Sequence, residues 1–186
     1  MMRRNLWIAS AIAVVVVMTG LLVYGSYISA QYQMEALQTA AHEQWLQLEG
    51  AIRRWADATP QLETAMAPVA RQDRMVLDTL ASARQTVHQA RDPQAVIDAS
   101  RALDEALNGA MAVGLSDPVL QKDAQFHTLR ERLRQMRVRV AQDRERYNES
   151  LRNYNVFISE FPNSIWARIA GFGPDHRFFP RTAGES

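Results

Sequence analysis

Phe126, Leu133, Val140, Tyr147, Tyr154 and Phe161 stand seven residues apart, and this line limits what the chain can become. Leu129, Met136 and Phe157 each follow a member of the line by three. Spacings of seven and three mark a heptad-like seam on one helix over residues 123–161, of the kind that coiled coils and bundles bury. At 1.5 Å per residue that helix is roughly 57 Å long. An apolar face of that length has to be covered by other helices, so the rest of the chain is read as their source.

The composition agrees. The 186 residues carry a formal net charge of +1 and no cysteine. The missing cysteines remove disulfides, thiolate zinc sites and a cysteine nucleophile together. Alanine, leucine, arginine and glutamine dominate, as in long helices. No strand-like alternation occurs outside the N-terminal apolar run.

That run, residues 6–30, contains no charged residue. It exceeds the ~20 apolar residues that cross a bilayer. Leu6, Trp7, Val15, Gly20 and Tyr24 lie within it, and Trp7 and Tyr24 would be about 26 Å apart on a helix, as two interfacial aromatics are. A cleaved signal peptide is the alternative. Its core is usually shorter, and Ile28 stands where a small residue should precede the cut at Gln31. Arg3 and Arg4 precede the run and no Lys or Arg follows until Arg53, so the basic flank predicts a cytoplasmic N-terminus and a domain outside, at a bacterial inner membrane.

Further seams follow in order. Met34, Leu37, Ala41, Trp45, Leu48, Ile52 and Trp55 share one face, up to Thr59-Pro60, where a new helix starts or a continuing one kinks. Leu62, Met66, Val69, Val76, Leu80, Ala83 and Val87 form the next segment, which Pro68 bends or begins. Asp92 as N-cap and Pro93 as first residue open a helix over about 93–113, with Val96, Leu103, Leu107 and Ala110 inward and Gly114 as its stop. Residues 115–118 turn into the long helix, and a short helix is expected at 164–170, capped by Asn163 or Ser164. The expectation is an all-α protein: an N-terminal transmembrane helix followed by an elongated antiparallel bundle of about four long helices. Residues 1–30 form the tip and anchor, 31–171 the bundle and 172–186 a loop-like tail, whose Phe172, Phe178 and Phe179 either dock on the bundle or enter the membrane interface.

Chemistry is sparse. There is no glycine-rich phosphate loop and no GxSxG. His42-Glu43 lacks a second histidine on the next turn, and His88, His127 and His176 are scattered, so no metal, cofactor or catalytic set emerges. Asp143 and Asp73 fall in seam registers, near the polar candidates Arg53, Arg54, Asp57, Arg144, Asn148 and Asn155. These make either a buried ligand or catalytic site or an interhelical network that fixes register. Asn148 and Asn155 are expected to bond another helix or a chain end, with Arg53, Arg54 or Asp57 as partners. Arg130, Arg134 and Arg137 belong to a basic face interleaved with Glu131, Glu145 and Glu149. That mixture suits a solvated face or an acidic protein or lipid partner better than nucleic acid.

The C-terminal stretch resembles the LemA family of bacterial membrane-anchored helical proteins. The resemblance rests on Arg144, Tyr147-Asn148, Tyr154-Asn155, Phe161-Pro162, Ala167, Gly171-Phe172 and Phe179, and on an earlier block of Trp45, Glu49, Arg53-Arg54, Ala56-Asp57, Pro60 and Leu62. Ala83-Arg84, Pro118 and Phe126 agree with it. It implies a single anchor, a long-helix bundle and no enzymatic activity. Ser82, Leu115 and Arg137 stand where the family usually has acidic residues, and Asp117 where it has an aromatic one. The expected function is a membrane-tethered scaffold that binds another membrane or envelope protein, with homo-oligomerisation open.

Overall fold

The structure is a computed structural model that describes residues 2–67 and 74–179. Its order is α1 (Met2–Met66), α2 (Arg74–Gln89), α3 (Pro93–Ser116), a 3-10 turn (Leu120–Lys122), α4 (Ala124–Ser159) and α5 (Asn163–Ala170). Among the described residues all regular structure is helical.

Three boundaries differ from the sequence reading, each for a local reason. First, α1 runs from the apolar segment through Pro60 to Met66, so Leu62 and Met66 belong to it and not to the next helix. Proline has no N–H for the carbonyl of Ala56, four residues back. The buried Thr59 hydroxyl donates to that carbonyl instead, at 2.9 Å, and the helix continues. Pro68, Val69 and Asp73 lie outside the described residues. Second, Gly114 does not stop α3, which continues to Ser116. Its place is explained by packing: a Cβ there would lie 2.5 Å from Cζ and 2.8 Å from Cε2 of Phe126. The glycine that does end a helix is Gly171, at φ 81°, after α5. Third, α4 stops at Ser159, so Phe161 leaves the seam and is 81% exposed. Leu129, Met136 and Phe157 are half-buried, while Leu151 and Ile158, four residues after Tyr147 and Tyr154, are buried. The buried stripe of α4 therefore widens toward its C-terminal end.

The start of α3 follows the sequence directly: Asp92 accepts from the Ala95 N–H at 2.9 Å and Pro93 occupies the first turn. Asp117 caps the next turn, accepting from Val119 and Leu120 N–H. α5 begins at Asn163, without a side-chain cap.

The chain forms two compact units: Met1–Ala41 with Ser150–His176, and His42–Glu149 with Arg177–Ser186. In the first, Ala30 and Met34 of α1 pack with Tyr154 and Ile158 of α4 and Ala167 of α5, and Leu37, Phe157, Trp166 and Phe172 lie against them. The second is a four-helix arrangement whose register is written in its cross-links. Arg53, Asp57 and Glu63 of α1 meet Ala90, His88 and Arg84 in that order, so α1 and α2 run antiparallel. Ser100, Asp104 and Gly114 of α3 meet Arg144, Arg137 and Phe126, so α3 and α4 do too. α2 packs on α3 across the short Asp92 turn. Trp45, Leu48, Ile52, Trp55, Leu80, Val87, Val96, Leu103, Leu107, Phe126, Leu133, Val140 and Tyr147 are all buried, as their seams require.

Candidate functional site

Two constructions in the second unit use most of the polar and aromatic residues that the sequence singled out. One seats the C-terminal tail. Asn148 of α4 is buried and bonds Phe179 twice: Nδ2 donates to the Phe179 carbonyl at 3.0 Å, and Oδ1 accepts from its N–H at 3.0 Å. The Phe179 ring lies near Trp45 (6.5 Å between centroids), edge-on to Tyr147 (6.2 Å) and under the Arg144 guanidinium (5.2 Å). Arg144 also donates to Ser100 Oγ of α3 at 3.2 Å. A primary amide suits this job because it presents one donor and one acceptor side by side, matching a peptide group. The tail aromatic Phe179 therefore docks on the protein.

The first unit repeats the device. Asn155 Nδ2 donates to the Asp175 carbonyl at 2.6 Å, and its Oδ1 accepts from the Asp175 N–H at 2.9 Å. The Tyr154 hydroxyl donates to the Gly173 carbonyl at 2.9 Å. Burial, and secondarily the Asp175 carboxylate, pushes the Tyr154 phenol up, which keeps it a donor. The expected partners Arg53, Arg54 and Asp57 are engaged elsewhere. Arg53 donates to Glu49 and to the carbonyls of Val87 and Ala90, at the C-terminal end of α2. It satisfies carbonyls that a helix end leaves open. Arg54 is exposed, with its guanidinium against Gly50. Asp57 pairs with His88 at 3.1 Å.

The second construction is a groove of about 440 Å³ between α3 and α4. Leu107, Met111, Leu115 and Leu133 give it an apolar floor, and Trp55 of α1 contributes to its lining. Arg130, Arg134 and Arg137 line it too, so the three arginines of the expected partner face converge there. They are not a bare cationic stripe. Arg134 grips Glu131 with two bonds of 2.8 and 2.7 Å. That grip, helped by Gln135, holds the Glu131 carboxyl down at about 2. Arg137 bonds Asp104 at 2.7 Å and Asn108 at 3.0 Å. Trp55 is 1% exposed, and its Nε1–H is buried without an acceptor. Sequence reasoning missed Asp104 and Asn108, and it placed Trp55 on an apolar face without its unmet donor. Each sits at a helix position where only the neighbour across the groove gives it meaning.

Asp143 is half-buried and meets Arg146, one turn on, at 3.5 Å. Its proposed companion Asp73 lies outside the described residues. His127 Nε2 meets the Gln121 carbonyl, and among the described residues no three metal-ligating side chains cluster. Trp7, Val15, Gly20 and Tyr24 lie within α1, where Trp7, Val15 and Tyr24 are exposed. Leu6 is in the same helix. This stretch of α1 is long and apolar enough to cross a membrane.

The pattern of the LemA family matches residues 44–185, the greater part of the chain. The chain belongs to the LemA family. Its resemblance residues Trp45, Arg144, Tyr147, Asn148 and Phe179 are those that seat the tail in the second unit. A further likeness is to the magnetosome protein MamQ of Magnetospirillum gryphiswaldense, at 30% identity over 93 residues. The match takes in 50% of this chain and 34% of MamQ, so it spans about a third of that relative's length. Both findings go with a membrane-associated helical LemA protein.

Proposed function

We propose that this LemA protein is a single-pass, non-enzymatic scaffold of the bacterial cell envelope that captures another membrane or envelope protein in the α3/α4 groove. The observation that carries the reading is the groove itself. It combines an apolar floor, three arginines and a buried indole donor within about 440 Å³, the mixture of anchor and polar rim that protein interfaces use. A partner helix with apolar anchors and carboxylates fits it, since arginine offers planar paired donors. Residues 6–30 tether the groove to the inner membrane, and the basic flank at Arg3 and Arg4 favours a cytoplasmic N-terminus with the helical domains outside. The likeness to a magnetosome protein is consistent with work at a membrane.

Arg130→Glu and Met111→Ala, each made in the full-length protein, test the groove. Both should weaken crosslinking of the native partner in membranes while the helical content stays the same, because Arg130 and Met111 are half-buried in the groove wall and outside the fully buried core. Arg134→Glu and Arg137→Glu should act in the same direction, with loss of the Glu131 and Asp104 pairs added. If all four keep every partner while Asp143→Asn abolishes the cellular phenotype in a folded protein, a buried polar site displaces the scaffold. A reporter fused after residue 186 tests the orientation, and a cytoplasmic-type signal there reverses it.

A further inference from the structure

An α-helix that lies on a protein normally turns its apolar side inward. α5 (Asn163–Ala170) does this only in part. Ala167 is buried against Ala30, Met34, Tyr154 and Ile158. The opposite side carries Ile165 and Ile169, which are 47% and 64% exposed, with Arg168 beside Ile165 on the helical wheel. Phe161, two residues before the start of α5, is 81% exposed. Three large apolar side chains exposed within nine residues of chain mark a binding face.

The place of α5 says what covers it. Its Trp166 meets Tyr27 of α1 edge-on, 5.6 Å between ring centroids. Tyr27 is three residues beyond Tyr24, Ala30 six and Met34 ten, so α5 packs on α1 from about 4 to 15 Å past Tyr24, with Trp166 at the near end. A bilayer of 40–45 Å around a 30 Å hydrocarbon core has a headgroup layer of roughly 5–8 Å on each side. The Trp166–Tyr27 end of this contact lies in this layer, where Trp and Tyr rings are favoured, and the rest of α5 lies against its outer edge.

We infer that α5 is a second membrane contact: it rests in the headgroup layer with Phe161, Ile165 and Ile169 turned toward the acyl boundary and Arg168 on lipid phosphates. The inference rests on reading residues 6–30 as a membrane span. Arg168 suits the role because its stem can lie along apolar surface while the guanidinium stays at phosphate level. With α1 this makes two attachments, one crossing the bilayer and one lying on it. Two attachments restrict how α1 tilts and turns where it leaves the membrane, which a lone span leaves to its flanking residues.

The chain has no cysteine, so single-cysteine labelling reports one position at a time. Full-length Ile165→Cys, Ile169→Cys and Phe161→Cys carry a nitroxide in vesicles of phosphatidylcholine and phosphatidylglycerol. Collision with oxygen, which enters lipid, is compared with collision with a water-soluble nickel chelate. Val15→Cys reports the span, and Val119→Cys, at a position 69% exposed, reports water. The α5 labels should show an oxygen-to-nickel ratio several-fold above Val119→Cys and below Val15→Cys. A ratio equal to that of Val119→Cys, with Val15→Cys still deep, overturns the second contact and leaves the anchor standing. Exclusion of both reagents at α5 means that protein covers the face, and it overturns the inference as well. Nickel access at Val15→Cys sinks the anchor reading and this inference with it.

Discussion

Replacing Gly114 by alanine inside a helix would ordinarily help, because glycine in a helix interior costs about 0.5–1 kcal/mol relative to alanine. Here the sign should reverse. The new Cβ would lie 2.5 and 2.8 Å from two ring carbons of Phe126, whereas carbon atoms prefer roughly 3.5–4.0 Å. The ring or the helix must move by about 1 Å. Phe126 is fully buried, so it has no open side to swing into. Overpacking of this kind costs about 1–3 kcal/mol. Set against the propensity gain, which is smaller so near the end of α3, the net loss for Gly114→Ala is about 1–2 kcal/mol. For a chain of this size that lowers Tm by about 2–8 °C. The assay is thermal unfolding of the full-length protein in detergent micelles, followed by circular dichroism. Phe126→Leu removes the ring carbons that clash, so adding Gly114→Ala to Phe126→Leu should be neutral or raise Tm. The difference between the two backgrounds is the coupling energy of the pair. If Gly114→Ala raises Tm in the native background, the glycine is not there for Phe126, and the packing account of α3 against α4 is wrong.

Thr59→Val keeps the shape of the side chain but leaves the Ala56 carbonyl without its donor, which should cost about 1–3 kcal/mol in the same unfolding assay. Asn148→Asp loses the donor to the Phe179 carbonyl and sets a carboxylate against it, so it should cost about 1–3 kcal/mol and speed hydrogen exchange at the Phe179 amide. Glu131 should stay ionised until the pH falls to about 2. Because its carboxyl is depressed in the folded protein, whatever the Arg134 pair contributes is present above the ordinary carboxylate range and is lost as pH falls through that value. Carbon NMR of Glu131 reads this directly, and Arg134→Gln should return its titration toward the usual range.

The seams were legible because helix periodicity records burial whatever the partner is. Leu48, Ile52, Leu103, Leu107, Leu133 and Val140 could be assigned inward from spacing alone, and all are buried. What the sequence hid depends on a single neighbour in space. Spacing left two outcomes open at Pro60, and the helix continues because one hydroxyl takes the place of one N–H. Gly114 reads as a stop by residue type, yet its role is set by a ring twelve residues on in sequence and across a helix pair. Asn148 and Asn155 show that a polar register was to be expected on α4, but their partners are backbone groups of an irregular tail, which no periodicity marks. The glutamates interleaved with Arg130, Arg134 and Arg137 could be read from the sequence, but Asp104 and Asn108, which bond Arg137 across the groove, are remote in sequence.

Several of the residues that carry the LemA resemblance are engaged inside the protein. Trp45, Tyr147 and Arg144 hold Phe179, Asn148 and Asn155 hold tail peptides, and Arg53 closes the end of α2. A side chain whose hydrogen-bonding capacity is taken up by its own chain has little left for a ligand. Such a set holds the fold together, and side chains that face outward keep capacity for other contacts. The α3/α4 groove meets that condition, and Leu115 and Arg137 lie in its wall, which is apolar and basic together. A partner selected by that wall would present apolar anchors beside carboxylates, and like charges against it would be rejected at a cost that specificity can exploit.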